Sequence, residues 1–318
     1  MRIAIVGPGA LGLFLAGRLS RLIAKKSVSG EKEQSDSVCL LDYNKERAAE
    51  LREKGIWLEQ SQWSGRVWLE VSAEPKSLGI FDIVFLCVKV PAVEAALEHF
   101  SVLVGPDTLV VGMQNGIKHP ELIANAGGIA ALGVTSEGVT LLAPGRVAHR
   151  GRGLTRLGLL GKESSRSVKR LNELAVMLNG ADLITEVVDS VVHYLWAKLL
   201  VNVGINALTA IHDIPNGELL KSEHLTRKME LAVREATRVA FAYSVPVVGD
   251  PVADVVAVCR STADNISSML QDVRKSRFTE IDAINGAIVQ AGKKLSIPTP
   301  VNDELTASVK ALEKSYHT

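Results

Sequence analysis

Cysteine is scarce in this chain: three residues in 318, Cys39, Cys87 and Cys259, far apart and each among apolar neighbours. That spacing suits neither a disulfide framework nor a set of metal ligands, so no metal is expected and the three thiols should be buried and reduced. An excess of charge of either sign is missing as well. Against 36 Lys and Arg stand 35 Asp and Glu, a net charge of +1, far from the dense basic surface that nucleic acid or an anionic membrane requires. A small-molecule partner is the better expectation. No repeat with a period of about 20–50 residues stands out. Nor is a secretory leader discernible, because Met1 and Arg2 run directly into Ile3-Ala4-Ile5-Val6 and a glycine loop, without the separate charged and apolar regions of such a segment. A cytoplasmic protein is expected. The longest apolar run, 194–211, is interrupted by Lys198, Asn202, Asn206 and Thr209, and reads as a buried helix of a soluble protein rather than a membrane span.

What the chain does have is apolar matter for more than one core. Hydrophobic residues make up 47% of it, and its length exceeds that of a usual single core. The first half alternates short β-branched runs with helical patterns, the habit of a parallel sheet flanked by helices. Strands are predicted at 2–6, 37–41, 82–88 and 108–111, and helices at 10–23, 45–53 and 92–103. Run 82–88 is almost continuously apolar, as a central strand covered on both faces should be. The polar stretch 25–36 predicts a surface loop. Short strand-like runs over 130–160, around the turns Ala143-Pro144-Gly145 and Gly151-Arg152-Gly153, predict antiparallel additions to the sheet. From 189 onward the pattern is almost wholly helical. The expected fold class is therefore α/β, with a mostly parallel, doubly wound sheet over 1–188, followed by an all-α domain over 189–318. The apolar helices after 189 offer a surface for a homodimer.

The loop Gly7-Pro8-Gly9-Ala10-Leu11-Gly12 lies between the first predicted strand and the first predicted helix, the context in which such a glycine pattern makes a Rossmann dinucleotide site. Gly7 permits the tight turn, Gly9 lets the backbone approach a pyrophosphate, and Gly12 allows helix to pack on sheet, while the helix N-terminus offers its N–H groups to the anion. At the end of the second strand, Asp42 in Val38-Cys-Leu-Leu-Asp42 stands where an acidic side chain accepts from the ribose 2′-hydroxyl of NAD(H). It would repel the 2′-phosphate of NADP(H), although Lys45 and Arg47 offer compensation. An alternative role is to start a turn or cap the next helix.

In the second half, Lys198, Asn202 and Asn206 recur at i, i+4 and i+8 of an apolar helical pattern, a polar stripe about 12 Å long. Inside a buried helix such a stripe needs partners; on an exposed face it would meet only water. A second cluster holds Ser268 and, twelve residues on, Glu280. On one continuous helix these two would sit roughly 120° apart, so they converge only if the helix breaks. Thr279 and Asp282, at N-cap and N3 spacing, predict a new helix there with Glu280 in its first turn. A solvated first-turn acid is the competing reading of Glu280.

Taken together, the loop 7–12, Val88-Lys89, Gln114-Asn115-Gly116, the stripe 198–206, Thr209-Ala-Ile with Pro215-Asn-Gly-Glu218, the run 265–272, and Thr279-Glu-Ile-Asp282 with Asn285-Gly286 resemble the ketopantoate reductase family over nearly the whole chain. The resemblance implies a Rossmann domain joined to a helical domain and the NADPH-dependent reduction of ketopantoate to (R)-pantoate for pantothenate synthesis. It implies Lys198 as general acid and Glu280 as the substrate-binding carboxylate. Asn115, Asn202, Asn206 and Ser268 would hold the keto acid and orient Lys198, with Lys89 and Asn115 beside the cofactor. Desolvation should lower the Lys198 pKa and Glu280 should raise it, a balance the sequence leaves open. Asp42-Tyr43 stands where NADPH-dependent members commonly carry an arginine, which sets the NADPH of the resemblance against the NADH that Asp42 favours. Two other readings are a reductase of another branched 2-keto acid and a non-catalytic NAD(P)-sensing protein.

Overall fold

A computed structural model describes residues 1–29 and 36–317, and the chain divides into two units, Met1–Gln114 with His119–Val191 and Asn115–Lys118 with Val192–Thr318. The first unit runs β1 (Arg2–Val6), α1 (Ala10–Ser29), β2 (Ser37–Leu41), α2 (Lys45–Lys54), β3 (Ile56–Glu59), β4 (Ser64–Val67), β5 (Glu70–Ser72), β6 (Ile83–Leu86), α3 (Val93–Phe100), β7 (Leu109–Gly112), α4 (Pro120–Ala124), β8 (Ile129–Thr135), β9 (Gly138–Ala143), β10 (Arg146–Gly151), β11 (Thr155–Leu159), α5 (Ser165–Gly180) and β12 (Thr185–Val187). Its principal sheet has the order β12-β11-β8-β7-β6-β1-β2-β5. Numbered among themselves along the chain, the strands from β5 to β8 therefore stand in the order 3-2-1-4-5-6, that of a doubly wound dinucleotide-binding sheet. The order reverses between β1 and β6, the point at which ligands bind beyond the strand ends. Val6 is in register with Leu41 of β2 and Leu86 of β6, so these three strands finish level and present Gly7, Asp42 and residues 87–89 side by side. Ile3, Ile5, Leu13, Phe14, Phe85 and Val111 are buried in the core beneath them.

The α/β fold class with a helical C-terminal part is found as expected, and β1 and β2 have the expected bounds. Three local expectations need correction. Helix α1 continues to Ser29, so 25–29 is helix rather than loop. Its last turn carries Lys26, which favours a helix C-terminus, and shows no apolar periodicity because it leaves the core, with Val28 fully outside it. Of the rest of the expected loop, 30–35 lies outside the described residues, and Asp36 is buried, its Oδ1 accepting from the Met1 ammonium at 2.6 Å. Of the strands in 130–160, β8 extends the principal sheet parallel to β7 and β11 adds to it antiparallel to β8; β9 and β10 instead join a second sheet of order β4-β3-β10-β9. That sheet covers α1, where a Cβ on Gly17 would come within 2.6 Å of Leu58. Finally, Cys39 and Cys259 are buried but Cys87 is half-buried. All three are free, and burial pushes the thiols up to about 12 at Cys39 and Cys87 and about 11 at Cys259.

The second unit is helical: α6 (Val191–His212), α7 (Glu223–Ala242), α8 (Pro251–Ser261), α9 (Ser268–Val273), α10 (Asn285–Lys294) and α11 (Pro300–Lys314). The apolar run of α6 lies in its core, Leu199, Val203 and Leu208 packing with Met229, Val233, Val255, Ile288 and Val309. A polar network crosses this core. The buried Glu235 carboxylate accepts from the backbone N–H groups of Val301 and Asn302, both at 3.0 Å, and from Asn302 Nδ2 at 2.8 Å. Asn285 Nδ2 donates to Asn302 Oδ1 at 3.0 Å and to the Val203 carbonyl at 3.2 Å. The first turn of α11 thus gains acceptors for N–H groups that no helix can pair internally, and α10 is tied to the stretch of α6 between Asn202 and Asn206.

Candidate active site

In the first unit the glycine loop has the geometry its sequence promises. Gly7 has φ +106, and its N–H donates to the Leu41 carbonyl at 2.9 Å. A Cβ on Gly7 would lie 2.8 Å from Val88 Cγ1, and one on Gly12 only 2.0 Å from the Gly7 carbonyl oxygen. Both glycines are therefore required by the protein's own packing. Gly9 is different: a Cβ there would meet nothing nearer than the Cys87 carbonyl oxygen at 3.9 Å. The bare backbone at Gly9 leaves room on the ligand side instead, and with Pro8, Ala10 and Leu11 opening the twenty-residue α1, the cradle fits a pyrophosphate. Val88 fills the space against Gly7, and Lys89 comes next, exposed, ahead of a 3-10 turn at Val90–Ala92. Buried Gln114 holds this corner together, its Nε2 donating to the carbonyls of Leu86 at 2.8 Å and Val88 at 3.0 Å. The sequence assigns Gln114 no role, although a buried amide just beyond an apolar strand is its signal.

Asp42 is turned into the protein at the end of β2. Its side chain is wholly enclosed, and Arg47 donates to both carboxylate oxygens, through Nε to Oδ2 and through Nη2 to Oδ1. Asn44 Oδ1 accepts from Arg47 N at 2.7 Å and caps α2; Asp42 Oδ1 accepts from Asn44 N at 3.0 Å. The turn-forming alternative is thus realised, together with a forked ion pair that the spacing of residues 42 and 47 does not announce.

In the second unit, Asn115 Nδ2 donates to Glu280 Oε2 at 2.8 Å. Gly116 makes this approach feasible: it has φ +83, and a Cβ would come within 2.1 Å of the Ala283 carbonyl oxygen. The helix does break between Ser268 and Glu280, since α9 ends at Val273 and Ser276 takes a left-handed conformation with φ +49. The capping box predicted at Thr279 does not form. Thr279 Oγ1 accepts from Ile281 N, two residues on, at 3.1 Å, and Asp282 pairs with Lys310 at 2.6 Å. The backbone enters a 3-10 turn, Ile281–Ala283, before α10, so Glu280 stands half-buried at the head of that turn and not in an α-helical first turn.

Lys198 is half-buried on α6. Burial pulls its ammonium down to about 8, while the nearby Glu280 carboxylate acts in the opposite direction; desolvation wins the balance. Asn202 and Asn206 lie one and two turns further along the same stripe, the first half-buried and the second buried. Ser268 opens α9 with an exposed side chain. Its neighbour Ser267 makes the connection to α6, lying 2.8 Å from Thr209 Oγ1 and accepting from Leu270 N. Asn115, Lys198 and Glu280 are thus brought together within the second unit. The Pro215-Asn-Gly-Glu218 motif is structural: Asn216 Nδ2 donates to Thr262 Oγ1 at 2.9 Å, and Gly217 packs on Ala263. Among the described residues no group of three or more His, Cys, Asp and Glu is arranged to hold a metal ion.

Comparison with known proteins gives matches along nearly the whole chain. The family model described as "Ketopantoate reductase PanE/ApbA" matches residues 3–162, and "Ketopantoate reductase PanE/ApbA C terminal" matches 190–313. The chain is 30% identical over 316 residues to a 2-dehydropantoate 2-reductase of Pyrococcus horikoshii, covering 98% of both chains. Among solved structures it is similar to a PanE/ApbA family ketopantoate reductase of Ralstonia eutropha, with a TM-score of 0.87, 28% identity and full coverage of both chains. It is also similar to a D-mandelate dehydrogenase solved with NADH and anilino(oxo)acetate, with a TM-score of 0.86, 28% identity and full coverage of both chains.

Proposed function

This chain belongs to the ketopantoate reductase family, and on that premise we propose that it is a 2-dehydropantoate 2-reductase, converting ketopantoate to (R)-pantoate for pantothenate synthesis. Residues 1–188 bind the dinucleotide and 189–318, joined by Asn115, bind the keto acid. The observation that carries the reading is a lysine on a core helix whose ammonium is brought down to about 8 beside an anchored carboxylate. Bound NAD(P)H supplies the hydride to the keto carbon. The alkoxide that results needs a proton, and Lys198 Nζ both stabilises the developing charge and donates that proton. Glu280, held by Asn115, accepts from a substrate hydroxyl and favours the charged form of Lys198. Asn202, Asn206 and Ser268 hold the keto acid against the lysine, and Lys89 lies beside the cofactor. Lys198 then recovers its proton from solvent. Such an enzyme works on small metabolites in the cytoplasm and needs neither nucleic acid nor membrane.

Activity requires protonated Lys198, so kcat/KM should be level below about pH 8 and fall about tenfold per pH unit above it. Glu280→Gln removes the group that raises the lysine pKa, and the alkaline limb should then move to lower pH. A rate that stays flat to high alkalinity in the native enzyme would exclude Lys198 as the acid.

A second reading keeps the chemistry and changes the substrate to another branched 2-keto acid; the likeness to D-mandelate dehydrogenase favours it. Initial rates of NADH and NADPH oxidation with ketopantoate and a panel of branched and aromatic 2-keto acids separate the two. The highest kcat/KM is expected with ketopantoate. Binding of the cofactor without oxidation by any keto acid would instead mark a sensor. The cofactor itself is NADPH by family resemblance, against the NADH that an accessible Asp42 would favour.

A further inference from the structure

Glu280 stands on backbone that lies between two turns. The turn that leaves α9 closes with Arg277 N–H donating to the Asp272 carbonyl at 2.9 Å. The turn that leads to α10 opens with Ile281 N–H on Thr279 Oγ1 at 3.1 Å, and Ala283 and Ile284 N–H donate to the Glu280 carbonyl at 2.9 and 3.1 Å. The N–H of Thr279, a residue only 9% exposed, belongs to neither turn, and a buried backbone donor must find a partner. Its partner is Glu313, in the last turn of α11, whose Oε1 accepts at 2.7 Å. One turn back on the same helix, Lys310 Nζ lies 2.6 Å from Asp282 Oδ1. Positions 310 and 313 share a face of α11, and residues 279 and 282 bracket Glu280, so one helix grips the backbone of this carboxylate on both sides. The two tethers are unequal. Lys310 and Asp282 are 47% and 53% exposed, and ion pairs so placed contribute little. Glu313 is half-buried; its bond to a buried N–H is charge-assisted, and removing it orphans the donor.

We propose that Glu313 is a positioning residue for the reaction: by holding the Thr279 N–H it fixes where the Glu280 carboxylate stands relative to Asn115 and Lys198, with Lys310 as the weaker tether. The proposal rests on the reading of Lys198 as the acid and Glu280 as the carboxylate that supports it. Without Glu313 the Thr279 N–H has to seek another acceptor, and the backbone that carries Glu280 moves with it. A displacement on the order of 1 Å is enough to disturb such a constellation. Glu280 then supports the Lys198 charge less and holds the keto acid less well, although Glu313 takes no part in the chemistry.

The test compares Glu313→Ala, Glu313→Gln, Lys310→Ala and Glu280→Gln with native enzyme in two readouts. The first needs no substrate: the rate at which acetic anhydride modifies Lys198, followed by mass spectrometry of the peptide that carries it, gives the pH midpoint of that amine. Glu313→Ala should move the midpoint to lower pH, in the direction of Glu280→Gln but by less. The second readout is kinetic, at pH 7 with whichever 2-keto acid of the panel reacts fastest. In Glu313→Ala, KM should rise by about tenfold and kcat should fall by less, because ground-state and transition-state binding are lost together. Glu313→Gln keeps an acceptor oxygen in the same place and should bring both readouts back to within about twofold of native. Lys310→Ala should alter KM by less than about twofold. Glu313→Met, which keeps the side-chain length without the acceptor, repeats the loss should the alanine variant not fold. A native midpoint and native KM in Glu313→Ala or Glu313→Met, even with a lowered Tm, mark a merely structural contact and overturn the proposal, as does a Glu313→Gln variant as defective as Glu313→Ala. If Glu280→Gln moves the midpoint and Glu313→Ala does not, only this proposal fails; if neither moves it, the reading of the Lys198–Glu280 pair fails with it.

Discussion

Lys198→Ala should reduce kcat with ketopantoate by about a thousandfold, the range expected when a group that both protonates and stabilises an alkoxide is removed. Cofactor affinity should stay within about twofold of native, because the residues proposed to cradle the dinucleotide, Gly7 to Gly12, are all in the other unit. The loss should fall mainly on kcat, since the interaction is made with charge that develops only as hydride arrives. Lys198→Arg is the informative companion. It preserves the positive charge, but a guanidinium does not release its proton at neutral pH, so a large part of the defect should remain. Stopped-flow oxidation of NAD(P)H under single-turnover conditions distinguishes slow chemistry from slow release. A native rate in Lys198→Ala would remove the lysine from the mechanism and leave Glu280 without a charge to support.

Gly12→Ala should nearly abolish cofactor binding. The new methyl would sit 2.0 Å from the Gly7 carbonyl oxygen, 3.2 Å from the Gly7 carbonyl carbon and 3.3 Å from Cys87 Cβ. Backbone cannot swing aside as a flexible side chain does, so either the first turn of α1 or the Gly7 turn must move. A displacement on the order of 1 Å in a binding constellation costs about 100-fold. Gly9→Ala provides the contrast, because its methyl has an ordinary 3.9 Å contact within the protein. It should leave the Tm unchanged while still weakening NAD(P)H binding through a clash with the pyrophosphate, whereas Gly12→Ala should lower both. Nucleotide fluorescence titration and thermal unfolding read the two effects separately. Undiminished cofactor affinity in Gly9→Ala would mean the pyrophosphate lies elsewhere.

How far the site can be read from sequence depends on how local each part is. The glycine loop needs only β1, a turn and α1 in succession, and the stripe Lys198, Asn202, Asn206 needs only helical periodicity; both are legible. Strands β3 and β4, of four residues each, are too short to show a period, and they exist because β10 and α1 cover them. The hairpin β9–β10 is expected in the wrong sheet for the same reason: its partner strand leaves no sequence signal. Thr279 and Asp282 have the spacing of a capping box, but the close approach of Gly116 to Ala283 and the pull of Lys310 on Asp282 come from distant parts of the chain and favour a tighter turn. The Asp42–Arg47 fork lies between. Its residues are neighbours in sequence, yet whether an arginine folds back or reaches outward depends on the enclosure that β2 and β5 provide, with Asp42 N donating to the Ser72 carbonyl at 3.1 Å. The balance at Lys198 depends wholly on burial, a quantity set by the packed helices around it.

The assignment of Asn115–Lys118 to the second unit means that the polypeptide crosses from one unit to the other three times, not once. A gene fusion cut near residue 190 would carry Lys198 and Glu280 into a new host but leave behind the amide that anchors the carboxylate and the glycine that admits it. Recombination between relatives at that single junction joins an asparagine and a glutamate that have not been selected together.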